Sequence, residues 1–207
     1  MKLRKRIAAI IAAVTMFIGT ADSVQAGKIT KSQTLSDQKT IQLQLKNGSK
    51  DYSEKLTFKN VMTGRKKTIK TDVTVVSCTL GAGWYETTIC GLGYSGNVVS
   101  KKKTYVALSP KVTLSMGSNT NIVVNWNKVA GSSGYCVYMS SDNGSSYRRV
   151  ATIRNANQTT FATGKLTKYK NYYFYIRAFK KAGSKTYMSS VPVKRPGGKI
   201  VSEYFYR

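Results

Sequence analysis

The sequence predicts an all-β protein built as two domains behind a cleavable N-terminal segment. Three observations carry this. Val, Thr, Ile and Tyr recur in short runs of alternating character, the pattern of strands with one buried face. Clusters of Gly, Asn and Ser separate those runs at turn spacing. Beyond the first residues, no stretch of helical length places apolar residues three and four apart.

The N-terminal segment reads as an export signal. Lys2, Arg4, Lys5 and Arg6 precede an apolar run from Ile7 to Ile18, and Val24-Gln25-Ala26 has the small-residue pattern of a cleavage site. The apolar run is about a dozen residues, short of the roughly 20 a bilayer-crossing helix requires. Residues 1–26 are therefore expected to be removed, leaving Gly27 as the new N-terminus. With no second long apolar stretch downstream, the mature chain is expected to lack a transmembrane segment and to be secreted.

Residues 27–108 form the first expected domain. Thr40 to Lys46 alternates cleanly, which places Ile41, Leu43 and Leu45 on one buried face; Leu56 and Phe58 repeat the pattern, and Lys70 to Cys78 continues it. Asn47-Gly48-Ser49, Thr63-Gly64-Arg65 and Gly81-Ala82-Gly83 are the turns between these runs. Pro110 interrupts the strand pattern, and the boundary is placed at Leu108-Ser109-Pro110.

Residues 109–195 carry a more specific pattern: Val112-Thr113-Leu114, a strand ending in Trp126, then Gly134-Tyr135-Cys136-Val137-Tyr138, then Leu166 followed by Tyr172 and Ile176-Arg177-Ala178. Taken together this resembles the fibronectin type III family, especially variants in secreted bacterial proteins. Trp126, Tyr135, Leu166 and Tyr172 are the diagnostic positions, and the last two match a tyrosine corner, in which a core tyrosine bonds backbone through its hydroxyl. The resemblance implies two antiparallel sheets packed face to face. It places Tyr172, Phe174, Ile176 and Ala178 inward with Tyr135, Val137 and Met139. Cys136, Tyr138, Tyr173, Tyr175, Arg177 and Phe179 then point outward. Residues 196–207 read as a C-terminal tail.

The first domain echoes the second faintly. Trp84 to Gly91 aligns with Asn171 to Ala178, so that Tyr85 matches Tyr172 and Ile89 matches Ile176; Lys103-Thr104-Tyr105 also resembles Lys185-Thr186-Tyr187. We therefore expect two tandem immunoglobulin-like or fibronectin type III-like β-sandwiches.

The composition argues against enzymatic chemistry. The chain has no histidine, hence neither the commonest general base nor the commonest metal ligand. Its mature carboxylates are Asp37, Asp51, Glu54, Asp72, Glu86, Asp142 and Glu203, of which only Asp51 and Glu54 are close in sequence. Asp142-Asn143-Gly144 reads as a turn, and one carboxylate is too few for a calcium site. No catalytic residue, metal site or cofactor is expected. Cys78 and Cys90 flank the Gly81-Ala82-Gly83 turn and are expected to form a disulfide, worth about 3 kcal/mol by chain entropy. Cys136 is left as an outward free thiol.

Charge points to the partner. The chain holds 34 Lys and Arg against 8 Asp and Glu, a net charge of +26. Residues 27–108 contribute +9 and residues 109–207 contribute +14, so both domains are basic. Solubility needs only roughly 2–8 charges, and an excess of this size attracts polyanions. Tyr138, Tyr173, Tyr175 and Arg177 make a candidate ligand platform, aromatic rings for stacking beside a cation; the alternative is tyrosines simply covering an exposed strand. The expected function is a non-enzymatic binding or adhesion module for anionic wall polymer or glycan. Non-specific nucleic-acid binding and a structural spacer role are the alternatives.

Overall fold

The computed structural model describes residues 26–46, 53–93, 95–117, 120–201 and 204–206. Nearly all of the expected export segment and the expected Asn47-Gly48-Ser49 turn lie outside the described residues. Every regular element among the described residues is a β-strand. No helix among them is long and apolar enough to cross a membrane.

The first sandwich uses β1 (Lys28–Thr34), β2 (Thr40–Lys46), β3 (Glu54–Asn60), β4 (Lys66–Thr71), β5 (Val75–Thr79), β6 (Trp84–Leu92) and β7 (Val98–Ala107). One sheet runs β1-β2-β5 and the other β4-β3-β6-β7. Period-two alternation fills the space between them. Ile41, Leu43 and Leu45 face Leu56, Phe58, Tyr85 and Ile89, with Val76, Cys78, Leu80 and Val106 completing the core. Each such aliphatic or aromatic side chain stabilises the fold by roughly 1.5–3 kcal/mol on burial. At one edge Lys67 Nζ donates to the carbonyl of Thr79 at 3.0 Å, joining the two sheets across the gap.

The second sandwich begins with β8 (Val112–Met116), β9 (Ile122–Trp126), β10 (Gly134–Ser140), β11 (Arg148–Ile153), β12 (Thr160–Ala162) and β13 (Asn171–Ala182). It ends with β14 (Lys185–Met188), β15 (Val191–Pro192), β16 (Gly197–Val201) and β17 (Tyr204–Tyr206). The sheet β12-β9-β8 packs on the sheet that starts β11-β10-β13. Leu114, Ile122, Val124, Trp126, Tyr135, Val137, Met139, Tyr172, Phe174, Ile176 and Ala178 form the core between them. In both sandwiches the first, second and fifth strands make one sheet. The other has the order fourth, third, sixth, seventh.

The seventh strand of the second sandwich is split. β14 pairs with the end of β13, and β16 pairs with its beginning, Asn171 opposite Lys199 and Tyr173 opposite Gly197. Residues 196–207 are thus not wholly a tail: Gly197–Val201 is a strand of the sheet. Between the halves the chain detours through β15, which lies parallel to the end of β1 with Gln33 opposite Val191 and Thr34 opposite Pro192.

That detour ties the sandwiches together. Thr34 is fully buried; its hydroxyl contacts that of Ser190 and accepts the N–H of Ser109 at 2.8 Å. The N–H of Ser190 donates to the carbonyl of Ala107 at 2.9 Å, and that of Val193 to Thr34 at 2.9 Å. Trp84, whose side chain points away from the first core, packs into the second one and donates Nε1–H to Ser132 Oγ at 2.9 Å.

Candidate functional site

Because Leu56 and Phe58 of β3 point into the first core, their neighbours Lys55, Thr57 and Lys59 point out. Directly paired residues share a face in an antiparallel sheet, so the hydrogen-bonded registers define three rows across four strands. The first is Lys70-Lys55-Cys90-Lys101, the second Thr68-Thr57-Thr88-Lys103, and the third Lys66-Lys59-Glu86-Tyr105. Six lysines and one carboxylate therefore occupy the face. Lys59, Lys66, Lys70, Lys101 and Lys103 are exposed, and Lys55 is half-buried.

At strand spacing near 4.8 Å the four strands make a surface about 14 Å wide. Lys55 stands opposite Lys70, and Lys59 opposite Lys66. Like charges directly opposite in a sheet are destabilising. The single carboxylate, Glu86, stands in the third row and engages Lys103 at 3.1 Å, which leaves the row of Lys70, Lys55 and Lys101 without a carboxylate on the face. Thr57 and Thr68 hydroxyls lie 3.3 Å apart in the middle row, polar groups between two lines of cations. The arrangement presents a flat array of point charges with hydroxyls. It can neutralise phosphates or carboxylates spaced along a polymer.

The tyrosine platform has a different environment. Cys136 pairs with Arg177, Tyr138 with Tyr175 and Ser140 with Tyr173, so these residues do lie on the face opposite the core. That face is covered. Tyr138 and Tyr175 stack at 4.6 Å, Tyr147 tilts against Tyr175 at 5.0 Å, and the Arg195 guanidinium caps both Tyr147 and Tyr175. Tyr175 is 9% exposed. Burial pushes its phenol pKa up, reinforced by Tyr138, while burial lowers that of Arg177. Arg177 Nε donates to the carbonyl of Ser189 at 2.7 Å and is spent on backbone. Tyr173 lies against Gly197, where a Cβ would collide with its ring, so the returning strand needs glycine there. The expected open platform is instead an aromatic layer partly covered by residues 189–197, with Tyr175 buried and Tyr138, Tyr173 and Arg177 half-buried.

The fold-marking residues occupy the second core. Tyr172 hydroxyl accepts the Thr167 N–H at 3.0 Å beside half-buried Leu166. Trp126 and Tyr135 meet edge to face at 5.3 Å, and Tyr135 hydroxyl accepts the Val129 N–H at 3.1 Å. The first sandwich has its own version: Tyr85 hydroxyl donates to the carbonyl of Gly81 at 3.3 Å, next to buried Leu80.

The expected Cys78–Cys90 disulfide is absent, and all three cysteines are free and buried. The Gly81-Ala82-Gly83 turn crosses between sheets instead of joining neighbours. Cys78 on β5 faces the core, whereas Cys90 follows core-facing Ile89 and points to the lysine face. Their side chains point in directions no bridge can span. Cys136 is a free thiol outside the core, as its register requires, but it is not accessible: Thr152 and Arg177 flank it and it is 3% exposed. Among the described residues no group of three His, Cys, Asp or Glu could hold a metal ion.

No family model matches the sequence, and no curated protein matches it. Among solved structures, the chain is similar to the chicken CNTN1 FN1-FN3 domains, with 12% identity over 87% of this chain and a TM-score of 0.37. The chain spans 65% of the length of that fragment. It is also similar to a chain of a cytokine receptor complex, with 14% identity over 81% of this chain and 93% of that chain, and a TM-score of 0.45.

Proposed function

We propose that this protein is a secreted, non-enzymatic binding module that holds an anionic wall polymer or acidic polysaccharide on the outer face of β4-β3-β6-β7. One observation carries the reading. Lys55, Lys59, Lys66, Lys70, Lys101 and Lys103 come from three strands and converge on one flat face against a single carboxylate. Uncompensated like charges cost stability in the free protein, and a bound polyanion relieves that cost while adding counterion-release free energy. Thr57, Thr68 and Thr88 supply hydroxyls at the centre of the face, suited to polymer oxygens. The net charges of +9 and +14 on residues 27–108 and 109–207 and the absence of histidine are in keeping with a binder rather than a catalyst.

The test is binding of the secreted protein to teichoic-type wall polymer, acidic polysaccharide, neutral glycan and DNA across a salt series. Replacing Lys55, Lys59, Lys66, Lys70 and Lys101 with Gln is expected to abolish binding at moderate salt. It should also flatten the dependence of log affinity on log salt. Matched replacement of exposed Lys165, Lys168, Lys170, Lys185 and Lys199 on the second sandwich should leave most affinity intact. Equal loss in both sets would remove the face from the reading. Binding confined to DNA would move the function to nucleic acid.

A further inference from the structure

The Gly27 N–H donates to Glu54 Oε1 at 2.7 Å, a contact closed to solvent. Glu54 is 3% exposed at the start of β3, while Gly27 immediately precedes β1, so the bond links the two sheets of the first sandwich. Gly27 is also the residue that export processing after Val24-Gln25-Ala26 would leave at the N-terminus. The sequence signal and the buried contact are independent observations that meet at one nitrogen.

We infer that Glu54 is a docking site for the processed N-terminus: cleavage creates the ammonium group that this carboxylate binds. Hydrolysis adds water across the Ala26–Gly27 bond. Ala26 departs as a carboxylate, and the Gly27 nitrogen takes a proton to become an ammonium. Before cleavage the donor is a neutral amide; afterwards it carries a full charge at the same place. A charge-assisted bond to a carboxylate is roughly twice as strong as a neutral one, and at low exposure water does little to weaken it.

Glycine also suits this position for a second reason. A Cβ on Gly27 would overlap Glu54 Oε1 and approach its Cδ to 2.9 Å. Any other first residue would push the nitrogen off the carboxylate or force Glu54 to move within its buried setting. Ala26, one residue upstream, is half-buried against the first core. The processed form is accordingly more stable than the precursor, and the first sandwich tightens only after the leader is removed.

The inference rests on the export reading, and the experiment separates the two. The full chain is expressed with its own leader, and the product is sequenced from its N-terminus and acylated with a small activated ester near pH 7. The expected product begins at Gly27. Its α-amine should react about tenfold or more slowly than that of a Gly-Lys-Ile peptide, because the adjacent carboxylate holds it as the unreactive ammonium. Glu54→Gln should restore the peptide-like rate. It should also lower the melting temperature of the Gly27 form more than that of a form beginning at Ala26. A product that keeps residues 1–26 overturns the export reading itself. A product that begins at Gly27 but reacts at the peptide rate, or equal melting losses in both forms, overturns the docking site alone. If Glu54→Gln does not fold, the acylation rate of the unmutated protein still decides.

Discussion

Arg195 caps Tyr175: its guanidinium lies 5.2 Å from the centre of a ring that is itself stacked on Tyr138. One cation from the detour between β14 and β16 therefore closes the outward aromatic layer of the second sandwich. Arg195→Ala is expected to lower stability by about 0.5–2 kcal/mol, the range for a partly desolvated cation–π contact. The denaturant midpoint should fall and the near-UV circular dichroism of the tyrosines should weaken. Polymer affinity should change no more than for any single lysine outside the lysine face. A large selective loss of binding would return the aromatic layer to the functional site.

The two corner tyrosines should respond unequally. Tyr172 hydroxyl takes the Thr167 N–H and points back to the Thr167 carbonyl, so Tyr172→Phe removes the partner of a part-buried backbone donor. A cost of about 0.5–1.5 kcal/mol is expected, with more if the N–H stays dry. Tyr85 hydroxyl serves only the Gly81 carbonyl, at 3.3 Å, and Tyr85→Phe should cost less. Urea denaturation of both variants checks the order.

These corners show what the sequence could and could not reveal. Alternation placed Ile41, Leu43, Leu56, Phe58, Phe174 and Ile176 in the two cores, because a strand exchanges faces every residue. The alignment of Tyr85 with Tyr172 marks equivalent sixth strands, although Leu80 to Tyr85 is one residue shorter than Leu166 to Tyr172 and conceals the second corner. The lysine face is invisible in sequence. Its six cations lie on three strands whose registers are set by turns and core packing, so charge alone gives a total and no place. The covered tyrosines were equally illegible. Pro192 and Pro196 cannot donate to a sheet, yet the chain crosses the aromatic layer and rejoins β13.

Trp84 couples the sandwiches. It is fully buried in the second core while its strand belongs to the first sandwich, and its Nε1–H reaches Ser132. Trp84→Ala is expected to cost about 3–5 kcal/mol and to separate the unfolding of the two sandwiches. Trp126 would then be the one tryptophan left, and its fluorescence would report the second sandwich alone. If that signal still coincides with the far-UV transition of the whole chain, the coupling does not run through Trp84.

The cysteines should be silent in the native state. Cys78, Cys90 and Cys136 are 3%, 7% and 3% exposed, and burial raises the thiol pKa of Cys78, reducing the reactive thiolate. Maleimide should label none of them before denaturation and all three afterwards, with no mass change on adding reductant. Rapid native labelling of Cys136 would mean that the cover over the aromatic layer opens. A reducible Cys78–Cys90 bridge would require β5 or β6 to shift register by one residue.

Acid should loosen one turn before the rest of the second sandwich. The Asp142 carboxylate accepts from the Ser140 hydroxyl, the Ser146 hydroxyl and the Ser146 N–H, and these bonds lower its pKa to about 2. They hold a loop in which Asn143 and Gly144 both have positive φ, at 58° and 83°. An unfolded aspartate titrates near about 3.9. Since the folded pKa is the lower, the carboxylate stabilises the turn fully above about pH 4. That contribution is lost as pH falls through about 2. The Ser146 amide resonance should therefore hold steady from neutral pH to about pH 3 and move below it. Asp142→Asn should remove that titration and leave the turn equally loose at all pH values. A Ser146 midpoint near 4 would show that the serine bonds do not hold the carboxylate in solution.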